Sequence, residues 1–67
     1  MEYASLFDTS DPANIYLGQS ATRVATSQPA FQIARVHING TDIQIRYAEG
    51  SYEFDKIWDN RAGYTYQ

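Results

Sequence analysis

His37 is the chain's only histidine, and a carboxylate across a tight turn from it, Asp42, makes half of a catalytic dyad. A carboxylate in that place can orient an imidazole and select its tautomer, as in hydrolytic triads. A working site also needs a nucleophile and a concave pocket. Neither is suggested here, so the pair reads as two polar side chains on a wet sheet face, and no catalytic residue is assigned. Metal chemistry has less to build on. There is one His and no Cys, and carboxylates are scattered, among them Asp8, Asp11, Asp42, Glu49, Glu53, Asp55 and Asp59. Only Glu53 and Asp55 would share a strand face, and a solvated edge explains them more simply. Gly18, Gly40, Gly50 and Gly63 are too far apart for a phosphate-cradling loop. The triplet Asn39-Gly40-Thr41 has the form of a glycosylation sequon, but a turn is the better reading without a secretory signal. No cofactor, metal, small-molecule substrate or enzymatic activity is expected.

Arginine and aromatic side chains together can also bind single-stranded nucleic acid through stacking and phosphate contacts. Arg35 and Arg46 would share one sheet face, yet so would Asp42, Glu53 and Asp55, and the chain carries a net charge of −3. A phosphate-tracking surface should be basic, so direct nucleic-acid binding is not expected. Mimicry of nucleic acid has the right sign but little strength: eight acids against five bases is a mild excess.

The elements that would position these residues are legible from turns and alternation. Asn39-Gly40 between two alternating runs predicts a hairpin with a two-residue type I′ loop, which needs φ > 0 at both central positions. That register sets His37 opposite Asp42, Val36 opposite Ile43 and Arg35 opposite Gln44. Ala34, Val36, Ile38, Ile43, Ile45 and Tyr47 then form an apolar face, and Arg35, His37, Asp42, Gln44 and Arg46 a wet one. A second tight turn at Glu49-Gly50 would return a third strand over 51–57, with Tyr47 against Tyr52, Arg46 against Glu53 and Ile45 against Phe54. The rival for that end is a short helix, since Phe54, Ile57 and Trp58 fit an i, i+3, i+4 stripe stopped by Gly63.

The fold expected is mainly β: one small domain, 1–67, built on a three-stranded antiparallel meander over about 30–57. Residues 1–29 would cover it as an arm, an extra strand or a short helix started by Asp11-Pro12, with Leu6, Phe7, Tyr16 and Leu17 laid over the apolar face; if they do not, a partner would, since an exposed apolar sheet face marks an interaction surface. Residues 58–67 form an aromatic tail, with a short terminal strand as one option. At this length a chain buries only about 60% of its unfolded surface. Without cysteine there is no disulfide to supplement the core, so an oligomer or partner is a natural source of stability. The amino terminus lacks a basic and then apolar leader, and no apolar run approaches the ~18 residues of a membrane span. A cytoplasmic or virion-associated location is expected.

Protein recognition is what remains. Six tyrosines and one tryptophan exceed what so small a core easily seats, and Tyr, Trp and Arg are enriched at interface hot spots. The candidate partner-binding residues are Trp58, Arg61, Tyr64 and Tyr66 in the tail, with Arg35 and Arg46 on the sheet. A single lysine, Lys56, and a surface rich in Ser, Thr, Asn and Gln suit a subunit packed into an assembly. The expected function is a non-enzymatic protein–protein interaction module, a structural or accessory subunit of a larger assembly such as a virion or phage particle. The alternative is a compact acidic inhibitor that blocks a host enzyme or defence complex.

Overall fold

The computed structural model describes residues 4–67 as one antiparallel sheet closed at one end by the carboxyl-terminal segment. Strand β1 (Ala4–Asp11) pairs with β2 (Asn14–Ser20), β2 with β3 (Pro29–Asn39), and β3 with β4 (Asp42–Tyr47). The two-residue β5 (Lys56–Ile57) also pairs with β3, at Pro29 and Phe31, where β4 has already ended. A 3-10 helix follows over Trp58–Gly63, and the tail returns so that Tyr66 bridges Ala48. The mainly β class is as the alternation predicts. No helix among the described residues is long and apolar enough to cross a membrane.

The segment before residue 30 supplies two full strands. Asp11-Pro12 starts no helix because the Asp11 carboxylate is used locally. Its Oδ1 accepts from Ala13 N at 2.9 Å and its Oδ2 from Asn14 Nδ2 at 3.1 Å, closing an Asx-type turn that leads straight into β2. Asp8 does similar work three residues earlier. It accepts from Ser10 N and Ser10 Oγ where one extra residue in β1 breaks the register with β2, the local signature of a bulge.

The 39–42 turn forms one position later than the dipeptide suggests. Asn39 pairs with Asp42, so Gly40 and Thr41 are the loop. Only Gly40, at φ +64°, lies in the left-handed region, which is the type II′ rather than the type I′ pattern. The slip moves every partner by two residues: Val36 meets Ile45, His37 meets Gln44 and Arg35 meets Arg46. An even shift leaves each side chain on its own face, which is why the predicted faces persist although the predicted pairs do not. Glu49-Gly50 is the true type I′ site, with φ of 54° and 66° and Ser51 N donating to Ala48 O.

The strand expected after it does not return along β4. Residues 51–55 loop outward, and only the Tyr47–Tyr52 contact survives from the predicted pairing, edge-to-face at 4.6 Å. The backbone of this loop is instead claimed by β3 through Gln32, whose Nε2 donates to Tyr52 O.

The larger correction concerns which face is buried. The core is Phe31, Ile33, Ala48, Trp58 and Tyr66, with Leu6, Tyr16, Val24 and Tyr64 packed around it. Phe31 and Ile33 lie on the same face of β3 as Arg35 and His37, and their partners Ser20 and Gly18 lie on the same face of β2 as Tyr16. The face expected to be wet is therefore the one that the tail covers. Gly18 makes this possible: a Cβ there would sit 2.5 Å from Trp58 Cε3 and 2.6 Å from Cζ3, so the indole rests directly on bare backbone. Two stability tests follow. Gly18→Ala drives a methyl into the core indole and should cost about 2 kcal/mol. Gly40→Val, strained at φ > 0 but in open space, should cost more than about 1 kcal/mol. Denaturant midpoints of the two variants against the parent check both.

Candidate functional site: an open apolar sheet face

With the tail committed to one side, the opposite side of the sheet has no covering layer among the described residues. Its side chains stand in register across all four long strands: Phe7, Leu17, Ala34 and Tyr47 form one row, Ile15, Val36 and Ile45 the next, and Ile38 and Ile43 a third. Tyr52 extends the first row beyond Tyr47. None of these side chains is charged. The most prominent keep most of their surface in solvent: Phe7 72%, Tyr52 70%, Ile43 63% and Ile45 61%. Scattered single apolar residues are ordinary on a surface, but a contiguous apolar face marks an interaction site. Burying an isoleucine or phenylalanine side chain fully is worth about 1.5–3 kcal/mol, so much hydrophobic free energy stays unrealised here.

The residues singled out as partner-binding candidates lie on the other side, and five of the six are brought together. Arg61 stacks on the Trp58 ring at 4.6 Å, donates from Nη1 to Trp58 O and from Nε to Asp8 Oδ2 at 2.9 Å. Arg35 lies over the Tyr66 ring at 5.0 Å, and Tyr66 donates from its hydroxyl to Arg61 O. Tyr64 turns its hydroxyl inward to accept from Ile57 N. Trp58 and Tyr66 are buried, while Arg35, Arg61 and Tyr64 are half-buried. This is an aromatic and arginine clamp that holds the tail to β1 and β3. Arg46 stands apart, exposed and directly across the ladder from Arg35.

His37 takes its hydrogen bond from the first hairpin. Its Nδ1 lies 2.8 Å from Asn14 Oδ1, and Asp42 is instead the strand partner of Asn39. The dyad geometry that the predicted register would give is absent for that reason. Lys56, the single lysine, is buried, bonded to Asp55 and 3.9 Å from Glu49. The Asp55 contact raises its pKa, so it stays charged as an internal strut and guards no sheet edge. A shallow cleft of about 550 Å³ beside the 3-10 helix is lined by Glu49, Asp59, Asn60 and Tyr64, and no buried unpartnered polar atom among the described residues belongs to it.

The open face is the apolar face of the alternation, expected to be covered by residues 1–29 or, failing that, by a partner; periodicity identifies such a side without saying what covers it. Its residues were all visible in the alternation. The missing signal was Phe31, Ile33 and Gly18, which make the opposite side the better seat for an indole. The chain matches no protein-family model, no curated protein and no solved structure.

The clamp carries a pH signature. Hydrogen bonds from the Ser10 hydroxyl, then from Ser10 N and Arg61, hold the Asp8 carboxyl down at about 2, below its ordinary 3.8. A carboxyl depressed in the folded state stabilises the fold above its unfolded pKa, and that contribution is lost as pH falls toward the folded value. The parent should therefore lose stability between pH of about 4 and about 2 more steeply than Asp8→Asn, which has no proton to take up there. Melts across that range compare the slopes.

Proposed function

We propose that this protein is a non-enzymatic protein–protein interaction module, a small structural or accessory subunit that buries its open sheet face in a larger assembly. The observation that carries this reading is the charge-free apolar face running from Phe7 on β1 to Ile43 and Ile45 on β4. A rigid sheet presents it, so binding would order little that is not already ordered, and the entropic cost of association is kept low.

Two further features support the subunit reading over a free-standing inhibitor. An inhibitor working through its tail would hold Trp58 and Tyr66 exposed for the target, and here both sit in the core. The single lysine is buried as well, so no lysine guards an outer strand against association. A lysine-poor surface rich in Ser, Thr, Asn and Gln fits a packed component, with virion or phage particles among the assemblies of that kind. A cytoplasmic or virion-associated location goes with this reading.

The test is a comparison of baits. Tagged parent protein and tagged Ile45→Asp are incubated with extract from the native source, and the retained proteins are identified. Ile45 is mostly exposed, so the substitution should leave the circular dichroism spectrum unchanged while whatever the parent retains is lost. Equal retention by both baits would remove the open face from the proposal.

A further inference from the structure

We infer that the occupant of the open face is a second copy of this chain, packed sheet against sheet about a two-fold axis. The inference rests on the reading of that face as a binding surface and goes on to name the partner. Three observations point to self-association.

The first is charge. The rows Phe7–Leu17–Ala34–Tyr47, Ile15–Val36–Ile45 and Ile38–Ile43 contain no ionisable group except the tyrosine phenol. The sheet's charged side chains Asp8, Arg35 and Arg46 point to the other side. Two copies of an acidic protein with a net charge of −3 can therefore meet on this face alone without setting like charges against each other. A foreign partner selected by electrostatics would find nothing here to read.

The second is area. Phe7, Tyr52, Ile43 and Ile45, at their observed exposures, present roughly 450 Å² if a large side chain offers about 150–200 Å². Doubled across a two-fold axis and extended by the half-buried Ile15, Leu17, Val36, Ile38 and Tyr47, the buried surface passes the ~1,000 Å² that a specific interface needs. The face is thus large enough for a copy of itself, and an isologous contact uses all of it on both sides.

The third is shape. Ala34, small and buried, lies between Leu17 and Tyr47 in the first row, while Phe7 at one edge and Ile43 and Ile45 at the other stand proud. Facing sheets pack about 10 Å apart by interdigitating raised and hollow positions. A surface with both can be complementary to itself.

Sedimentation equilibrium tests this on the full chain across the micromolar range, with the parent, Ile45→Asp, Ile43→Gln and, on the opposite face, Arg46→Gln. The parent should sediment at twice the 7.6 kDa chain mass. Ile45→Asp should weaken self-association about 30-fold or more, as expected for an exposed apolar hot spot. Ile43→Gln, a milder change that keeps the test valid should the aspartate variant not fold, should weaken it in the same direction, and Arg46→Gln should leave it unchanged. Trp58 fluorescence reports the far side of the sheet and should be the same in all four. A parent that stays monomeric, or a dimer that both isoleucine variants leave intact, overturns the inference. A monomeric parent that still retains a protein in an Ile45-dependent manner overturns the second copy as occupant but not the interaction reading. A monomer with no Ile45-dependent retention overturns both.

Discussion

The seating of Trp58 on Gly18 decides the rest of this structure. The sheet has two faces, and among the described residues the segment after β4 covers one of them. Only the face bearing Gly18 lets an indole reach the backbone. Once Trp58 is there, Phe31 lies 6.5 Å from it, ring centre to ring centre, and Tyr66 comes to rest 5.7 Å from Tyr16. The two arginines close over the rings: Arg61 anchors the 3-10 helix to Asp8 on the edge strand, and Arg35 covers Tyr66 from β3. Each contact depends on the indole's having chosen that side.

The choice fixes what the protein presents to its surroundings. Five of the six aromatic and basic residues that resemble interface hot spots are used up inside the chain, as ring stacks and backbone hydrogen bonds of the tail. The aliphatic residues that resemble a core are left outside. In a larger domain a second layer of helix or sheet would cover the other face. Among the described residues no such layer is present, and a small core cannot easily carry that much exposed apolar surface alone. The proposed reading of the protein as a subunit rests on this inversion: in it, another chain supplies the hydrophobic contact for the open face.

Much of the architecture could be read from the residues alone. Alternation over 33–47 assigned every side chain to its proper side of the sheet, even though the turn was placed one residue early. That robustness comes from the period of two, since a shift of two residues in pairing changes neighbours and preserves faces. The turn at Glu49-Gly50 was legible because left-handed backbone there favours glycine. The Asp11-Pro12 turn was not, because an aspartate before proline caps a helix or closes a turn with the same acceptor oxygen.

The sequence by itself determined a mainly β chain, its hairpin between β3 and β4, the membership of each face and the shortage of core. Those properties are local or compositional: they depend on alternation, turn chemistry and length, which a reader can count. Only the tertiary structure decided which face is buried, because that depends on contacts between residues forty apart, Gly18 with Trp58, and fifty-three apart, Asp8 with Arg61. Both faces of β3 are apolar enough near Phe31, Ile33, Ala34 and Val36 to form a core. What separated them was steric access to a glycine two strands from the sheet's far edge, and a single absent methyl group has no periodicity to betray it.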